Sequence, residues 1–424
     1  MTSWRRREGR ALPGELARRL GTTDAVVVGL SAMIGAGVFS AFAPAAASAG
    51  PWLPASLALA AVVAYCNATS SARLAARHPE SGGTYVYGRR RLGPLWGYLA
   101  GWGFTVGKTA SCAAMALTFG SYVLPGLERP LAIVAVAVLT LLNLYGVRRS
   151  AGVARVIVAF VLAVLALVIV AGLAGGGPVA PAPASAHVAA DGWGVLQGAG
   201  LLFFAFAGYA RIATLGEEVR DPARTIPRAV GIALGVTLAV YALVTLAALR
   251  TLPAESLAAS RAPLADLVVA AGFGGLAPVV RAGAAVAALG ALLALLLGVS
   301  RTVLAMARER DLPAALSAVD PVRQTPRRAE LAVGGAVIVL LLVADLREAI
   351  GFSSFGVLVY YAVANACALT LRRDEGAPPR AVPVLGLALC VLLAATLPAA
   401  SVLSGLAVFA AGLAIYAVRH RRVC

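Results

Sequence analysis

The sequence predicts an all-α polytopic membrane protein of about twelve transmembrane helices. Hydrophobic residues make up 60% of its 424 positions, charged residues only 13%, and mean hydropathy is +0.86. Apolar runs close to the roughly 20 residues that a bilayer-crossing helix needs recur along the whole chain. Arginines gather in alternate connections between those runs, the pattern expected where cytoplasmic loops retain positive charge.

In order, the runs lie near 24–48, 53–76, 94–122, 131–147, 153–174, 195–216, 229–250, 275–305, 330–346, 350–371, 382–398 and 401–418. Residues 1–23 form a basic leading segment. It continues as Ala11-Leu12-Pro13-Gly14-Glu15 rather than as an apolar stretch with a cleavage site, so the first run is expected to stay in place. The longest connection, 175–193, reads GGGPVAPAPASAHVAADGW and has no apolar periodicity for a core of its own. The last two runs are separated only around Leu397 to Ser401, which predicts a tight hairpin. Residues 24–418 are therefore expected to form one transmembrane domain, followed by a short tail at 419–424. Twelve spans put 29 arginines on one side against Arg129, Arg250, Arg261, Arg281 and Arg347 on the other. That asymmetry predicts a multi-pass protein of the cell (plasma) membrane with both termini cytoplasmic.

The same placement removes nucleic acid as a partner, because the net charge of +17 is accounted for by topology. Cys66, Cys112, Cys367, Cys390 and Cys424 have neither disulfide-framework nor metal-ligand spacing, and His78, His187 and His420 fall in loops or the tail. No nucleophile or metal constellation suggests a membrane enzyme, and no cofactor or metal is expected. Asn67-Ala68-Thr69 resembles a glycosylation signal but lies inside the second run.

Two runs are interrupted by small residues, Gly35-Ala36-Gly37 in the first and Ala205-Phe206-Ala207-Gly208 in the sixth. Non-helical backbone at membrane depth is tolerable only where it lines a cavity, since exposed amides and carbonyls in hydrocarbon each cost roughly several kcal/mol. Paired interruptions in two halves of a membrane protein point to a secondary transporter with a site at the midplane. Close helix packing through glycine is the simpler explanation for either break alone.

GLSAMIGAGVF (29–39), ARLAARHPESGGTYVYGRRRLGPLWGYLAGW (72–102), FFAFAGYARIATLGEEVRDPARTIPRA (203–229) and SRTVLAMARERDLP (300–313) resemble signature segments of the amino acid-polyamine-organocation permeases. Glu217-Glu218 with Asp221-Pro222-Ala223-Arg224 is most similar to bacterial relatives of the cationic amino acid transporters. The resemblance implies a five-plus-five inverted repeat, here about 24–174 and 195–371, with discontinuous helices 1 and 6 and two further helices over 382–418.

A broken helix offers free N–H groups at one half-helix start and free C=O groups at the other's end, matching a carboxylate and an ammonium. Amides around Gly35, Ala36 and Gly37 would take the substrate carboxylate, and carbonyls near Met33, Phe204, Ala205 and Ala207 the ammonium. Ile34, Phe206 and Gly208 would shape the pocket. The expected partner is an amino acid, cationic or small and neutral, moving with protons across the lipid bilayer. An exchanger without proton coupling and a non-transporting sensor on the same fold are the alternatives.

In proton-coupled relatives a lysine in span five carries the proton, and aligning GVRRSAGVARVIVAFV (146–161) puts Val161 there. Lys108, the one lysine among 36 basic residues, lies mid-way along span three and is the candidate substitute. A structural ion pair or hydrogen bond is its competing role. Sodium coupling is disfavoured because no hydroxyl residue occurs between Ala282 and Val299 of span eight. Arg211 replaces an acidic residue frequent in the family and is expected to pair with Glu217 or Glu218 at an inner gate, to which Arg73, Arg77 and Arg89 to Arg91 could contribute.

Overall fold

A computed structural model describes residues 20–79, 82–145, 151–175, 191–215, 218–320, 323 and 325–421. The described residues form helices and turns, with one isolated β-bridge. Every predicted apolar run falls on helix. The first is split into α1 (Thr22–Met33) and α2 (Ala36–Ser40), and continues through Ala41 into α3 (Phe42–Ala49). The following runs are α4 (Leu53–Arg77), α6 (Pro94–Val123), α7 (Glu128–Leu144), α8 (Ala151–Ala174) and α9 (Gly192–Phe206), with α5 (Thr84–Arg91) inserted between α4 and α6. Next come α10 (Ala210–Ala213), α11 (Pro222–Thr251), the short α12 (Ala254–Ala259) and α13 (Pro263–Ala270), and α14 (Ala277–Arg308). α15 (Arg327–Val343), α16 (Leu346–Leu369), α17 (Ala381–Thr396) and α18 (Ala399–Arg421) complete the chain.

Among the described residues, eight helices are long and apolar enough by themselves to cross a membrane. The remaining four predicted spans correspond to α6, α7, α15 and α17. Side chains on the outside are those a lipid environment favours: Val134, Val138 and Leu141 on α7, Val339 and Val343 on α15, Leu403 and Leu406 on α18 are all exposed. In lipid such a surface carries no penalty, whereas water would leave it a very large apolar patch.

Local chemistry sets several helix ends. Asp345 starts α16 by accepting from the Glu348 amide while Glu348 accepts from the Asp345 amide, a reciprocal cap that leaves neither donor orphaned. Asp191 caps α9 through Gly194 N–H at 2.7 Å. Leu397 and Pro398 separate α17 from α18, the expected hairpin.

The first run departs from expectation: predicted to continue to residue 48 as one span, it bends at Ala41, and α3 packs on α9 and α12. Interior contacts depend on small residues and hydroxyls. Gly103, Gly107 and Gly356 bring α6 and α16 to backbone contact, and the Ser111 and Ser353 hydroxyls meet at 2.6 Å beside them. Asn365 of α16 donates to Asn67 of α4 at 2.6 Å and accepts from Ser70. Each buried amide or hydroxyl joined this way avoids the cost of a polar group left unpaired in hydrocarbon.

Candidate functional site

The helix formed by the first run stops at Met33. Ile34 leaves helical geometry at φ −89°, ψ 39°, and Gly35 follows at φ −91°, ψ −137°, before α2 begins at Ala36. In the sixth run, α9 ends at Phe206 and a tightened 3-10 turn, Ala207–Tyr209, joins it to α10. The interruption there is narrower than the four-residue break expected from sequence, and centred on Gly208.

The two interruptions touch. A Cβ placed on Gly37 would lie 2.7 Å from Ala205 Cα, and one on Gly208 would lie 2.4 Å from the Ala32 carbonyl carbon. A Cβ on Gly35 would meet the Ala291 side chain of α14 at 2.8 Å. The glycines therefore serve close approach, and that approach brings the two interruptions side by side.

Those groups share side-chain partners that were not anticipated. The Tyr241 hydroxyl on α11 lies 2.5 Å from Met33 O and 3.1 Å from Ala205 O, so one phenol proton faces carbonyls from both broken helices. Phe42 and Phe206 pack edge-on against the Tyr241 ring and hold it there. On α16, Tyr361 donates to Ala207 O at 3.4 Å, flanked by the rings of Phe203, Tyr209 and Tyr360. Phe204 stays within α9. The sequence signal for Tyr241 was available: a phenol within LAVYALV has no apolar reason to be there.

Beside the first break, Ser31, Ile34, Val158, Val161, Ala287 and Ala291 line a cavity of about 10 Å³, room for about one water molecule. Val161 thus faces the broken backbone from α8 with an apolar side chain. Lys108 is on α6 with 7% of its surface exposed, and among the described residues it makes no ion pair or hydrogen bond. Its structural ion-pair role is therefore not found among those residues.

At the arginine-rich end, Leu20 N–H donates to Glu218 O at 3.0 Å and Arg220 N–H to Leu20 O at 2.9 Å, forming the bridge between Leu20 and Val219. Glu218 thus acts there through its main chain, and Arg211, half-buried on α10, forms no ion pair with it. Glu217 lies outside the described residues. Asp24 of α1 pairs with Arg155 of α8.

Two further clasps close this end. Asp311, fully buried after α14, accepts from Tyr85 Oη at 2.7 Å and Arg89 Nη1 at 2.9 Å. Burial, then the Asp311 carboxylate, pushes the Tyr85 phenol well up, so it remains a donor. Glu375 accepts from Arg91 at 2.6 and 3.0 Å and from Arg77 at 3.2 Å. Arg91 foremost, with the Arg372 amide, holds the Glu375 carboxyl down to about 2 from its ordinary 4.5. A depressed carboxyl contributes stability above its unfolded value and loses it as pH falls through the folded one. The melting-temperature gap between wild type and Glu375→Gln should thus be constant from about pH 5 to 8 and narrow as pH falls from about 4.5 towards 2. A gap that changes near neutral pH would contradict this origin.

A family model described as amino acid permease matches residues 20–418. The chain is 62% identical over 411 residues to an uncharacterized transporter of Mycobacterium tuberculosis (strain ATCC 25618 / H37Rv), covering 97% of this chain and 93% of that one. It is 26% identical to the branched-chain amino acid permease of Bacillus subtilis (strain 168), over 96% of this chain and 94% of the relative. It is 28% identical to the vacuolar cationic amino acid transporter 4 of Arabidopsis thaliana, over 88% and 66% respectively.

Proposed function

The chain belongs to the amino acid permease family and is a multi-pass membrane transporter; from that premise we propose a secondary active, proton-coupled amino acid transporter that works by alternating access around the two broken helices. The substrate carboxylate takes the amides at Ala36 and Gly37, where the helix restarts. Its ammonium takes the carbonyls of Met33 and Ala205, with Ala207 close by.

The observation that carries this reading is the Tyr241 hydroxyl facing Met33 O and Ala205 O together. Two carbonyls from different broken helices converge on one donor, and an ammonium with three N–H groups satisfies that convergence better than a phenol with one. Tyr241 is then the donor that an amino acid's ammonium would replace at these carbonyls. In Tyr241→Phe, two buried carbonyls lose their partner, which costs about 1–3 kcal/mol in the empty protein and is recovered when substrate binds. The variant should melt lower than wild type without amino acid and gain more from its addition. An equal gain in both proteins would remove these carbonyls from the ammonium site.

A five-plus-five inverted repeat is supported by contacts that map onto each other when spans one to five are exchanged in order with spans six to ten: α1 on α11 with α9 on α4, and α6 on α16 with α14 on α8. The arginine-rich end is placed in the cytoplasm of the cell, where Leu20–Val219 and the two carboxylate clasps form the inner gate. Lys108 is the proposed carrier of the coupled proton, since Val161 has no group to titrate. Val161 also favours a second reading, exchange of amino acids without protons. Uptake of radiolabelled amino acids into proteoliposomes separates the two: stimulation by an inward proton gradient supports symport, and uptake only against internal amino acid supports exchange.

A further inference from the structure

Lys108 has a definite depth. A Cβ on the preceding residue, Gly107, would lie 3.1 Å from Ser353 O and 3.2 Å from Val357 N, and Ser111 meets Ser353 one turn later. Four residues beyond Val357 on the same helix, Tyr361 donates to Ala207 O at the interruption of the sixth run. One helical turn is about 5.4 Å and α6 and α16 run antiparallel here, so Lys108 lies within about two turns, in depth, of Tyr361.

It also has a definite direction. Residues seven and fourteen apart share a helix face, so Lys108, Met115 and Tyr122 form one stripe on α6. Tyr122 donates to Phe39 O of α2 at 3.0 Å, and its ring packs edge-on against Phe39. The Tyr122 end of the stripe therefore faces the helix that restarts after the first break, and Lys108 lies on the same face fourteen residues, about 21 Å, towards the start of α6.

A buried ammonium without a counter-ion is costly, and at membrane depth it persists where something it binds supplies the missing charge. Among the described residues the ionisable neighbour acting on Lys108 is Cys112, one turn away on its own helix, and no carboxylate supplies that charge. The α-carboxylate and α-ammonium of an amino acid are already matched by backbone at the two breaks. Lys108 is left over. We propose that the substrate is an amino acid with an acidic side chain, whose second carboxylate is received by the Lys108 ammonium. This rests on the transporter reading above and narrows it. A cationic side chain would meet an uncompensated like charge at the same depth, and a neutral one would leave Lys108 buried without a partner.

Glutamate and glutamine differ here by charge at nearly constant shape, so they isolate the interaction. Purified wild-type protein in proteoliposomes should take up glutamate or aspartate at least tenfold more efficiently than glutamine or asparagine, with arginine competing least. Lys108→Met should lose the difference between glutamate and glutamine in thermal stabilisation, a binding readout that does not depend on proton-coupled flux. Should Lys108→Met fail to fold, thermal shifts of the wild type decide: stabilisation by glutamate or aspartate well beyond the amides is expected. Equal stabilisation by glutamate and glutamine, or a preference that survives in Lys108→Met, overturns the proposal. Uptake of neutral or cationic amino acids alone overturns it and leaves the transporter reading standing; no uptake or stabilisation by any amino acid overturns both.

Discussion

Gly208→Val should reduce amino acid uptake to background. The Cβ would be 2.4 Å from the Ala32 carbonyl carbon, 2.5 Å from its oxygen and 2.6 Å from Met33 N, all backbone atoms that cannot swing aside. Relief requires the two broken helices to part, and overpacking of this kind costs about 1–3 kcal/mol or more. The functional loss is larger than the loss in stability, because parting the helices moves Met33 O away from Ala205 O and dissolves the one point where their carbonyls converge. Gly231→Ala provides the contrast. It sits in α11 with open space around its position, and replacing a helix-interior glycine stabilises by up to about 1 kcal/mol. Uptake assays and melting temperatures on the two variants check the pair. Normal transport by Gly208→Val would mean that the contact between interruptions has no part in the site.

Arg89→Ala should be the most destabilising single change at the arginine-rich end. Asp311 is 0% exposed, and removal of Arg89 takes a cationic donor from a charged carboxylate inside the protein. Breaking a buried pair costs about 3–5 kcal/mol; with a quarter of the Arg89 side chain in contact with solvent, about 2–4 kcal/mol is expected. Asp311→Asn in the Arg89→Ala background should recover most of it, since the neutral amide no longer needs a cation. Melting temperatures of the three variants test this, and additive losses would show that the two groups act independently.

Much of the architecture was legible because it follows from composition. Each apolar run became helix. The breaks were legible too, from Gly35-Ala36-Gly37 and from Gly208. What sequence could not supply was proximity. Tyr241 stands out in LAVYALV as a polar residue, but its role comes from which carbonyls lie opposite, more than 30 residues away in the nearer case and more than 200 in the farther. Asp311 likewise reads as a loop residue in ARERDLP, yet it is sealed beneath Tyr85 and Arg89. Of the two partners expected for Arg211, Glu218 forms no ion pair with it among the described residues and bonds Leu20 through its main chain, while Glu217 lies outside them.

That last contact has a consequence for how the protein can vary. The link between Leu20 and the segment after α10 consists of two main-chain hydrogen bonds, with side chains that merely accompany it. Any residue but proline preserves its donors. Alanine scanning would therefore pass over this latch, and sequence drift at either position leaves it intact. A latch built from peptide groups is hidden from side-chain mutation while it ties Leu20 to Glu218 and Arg220.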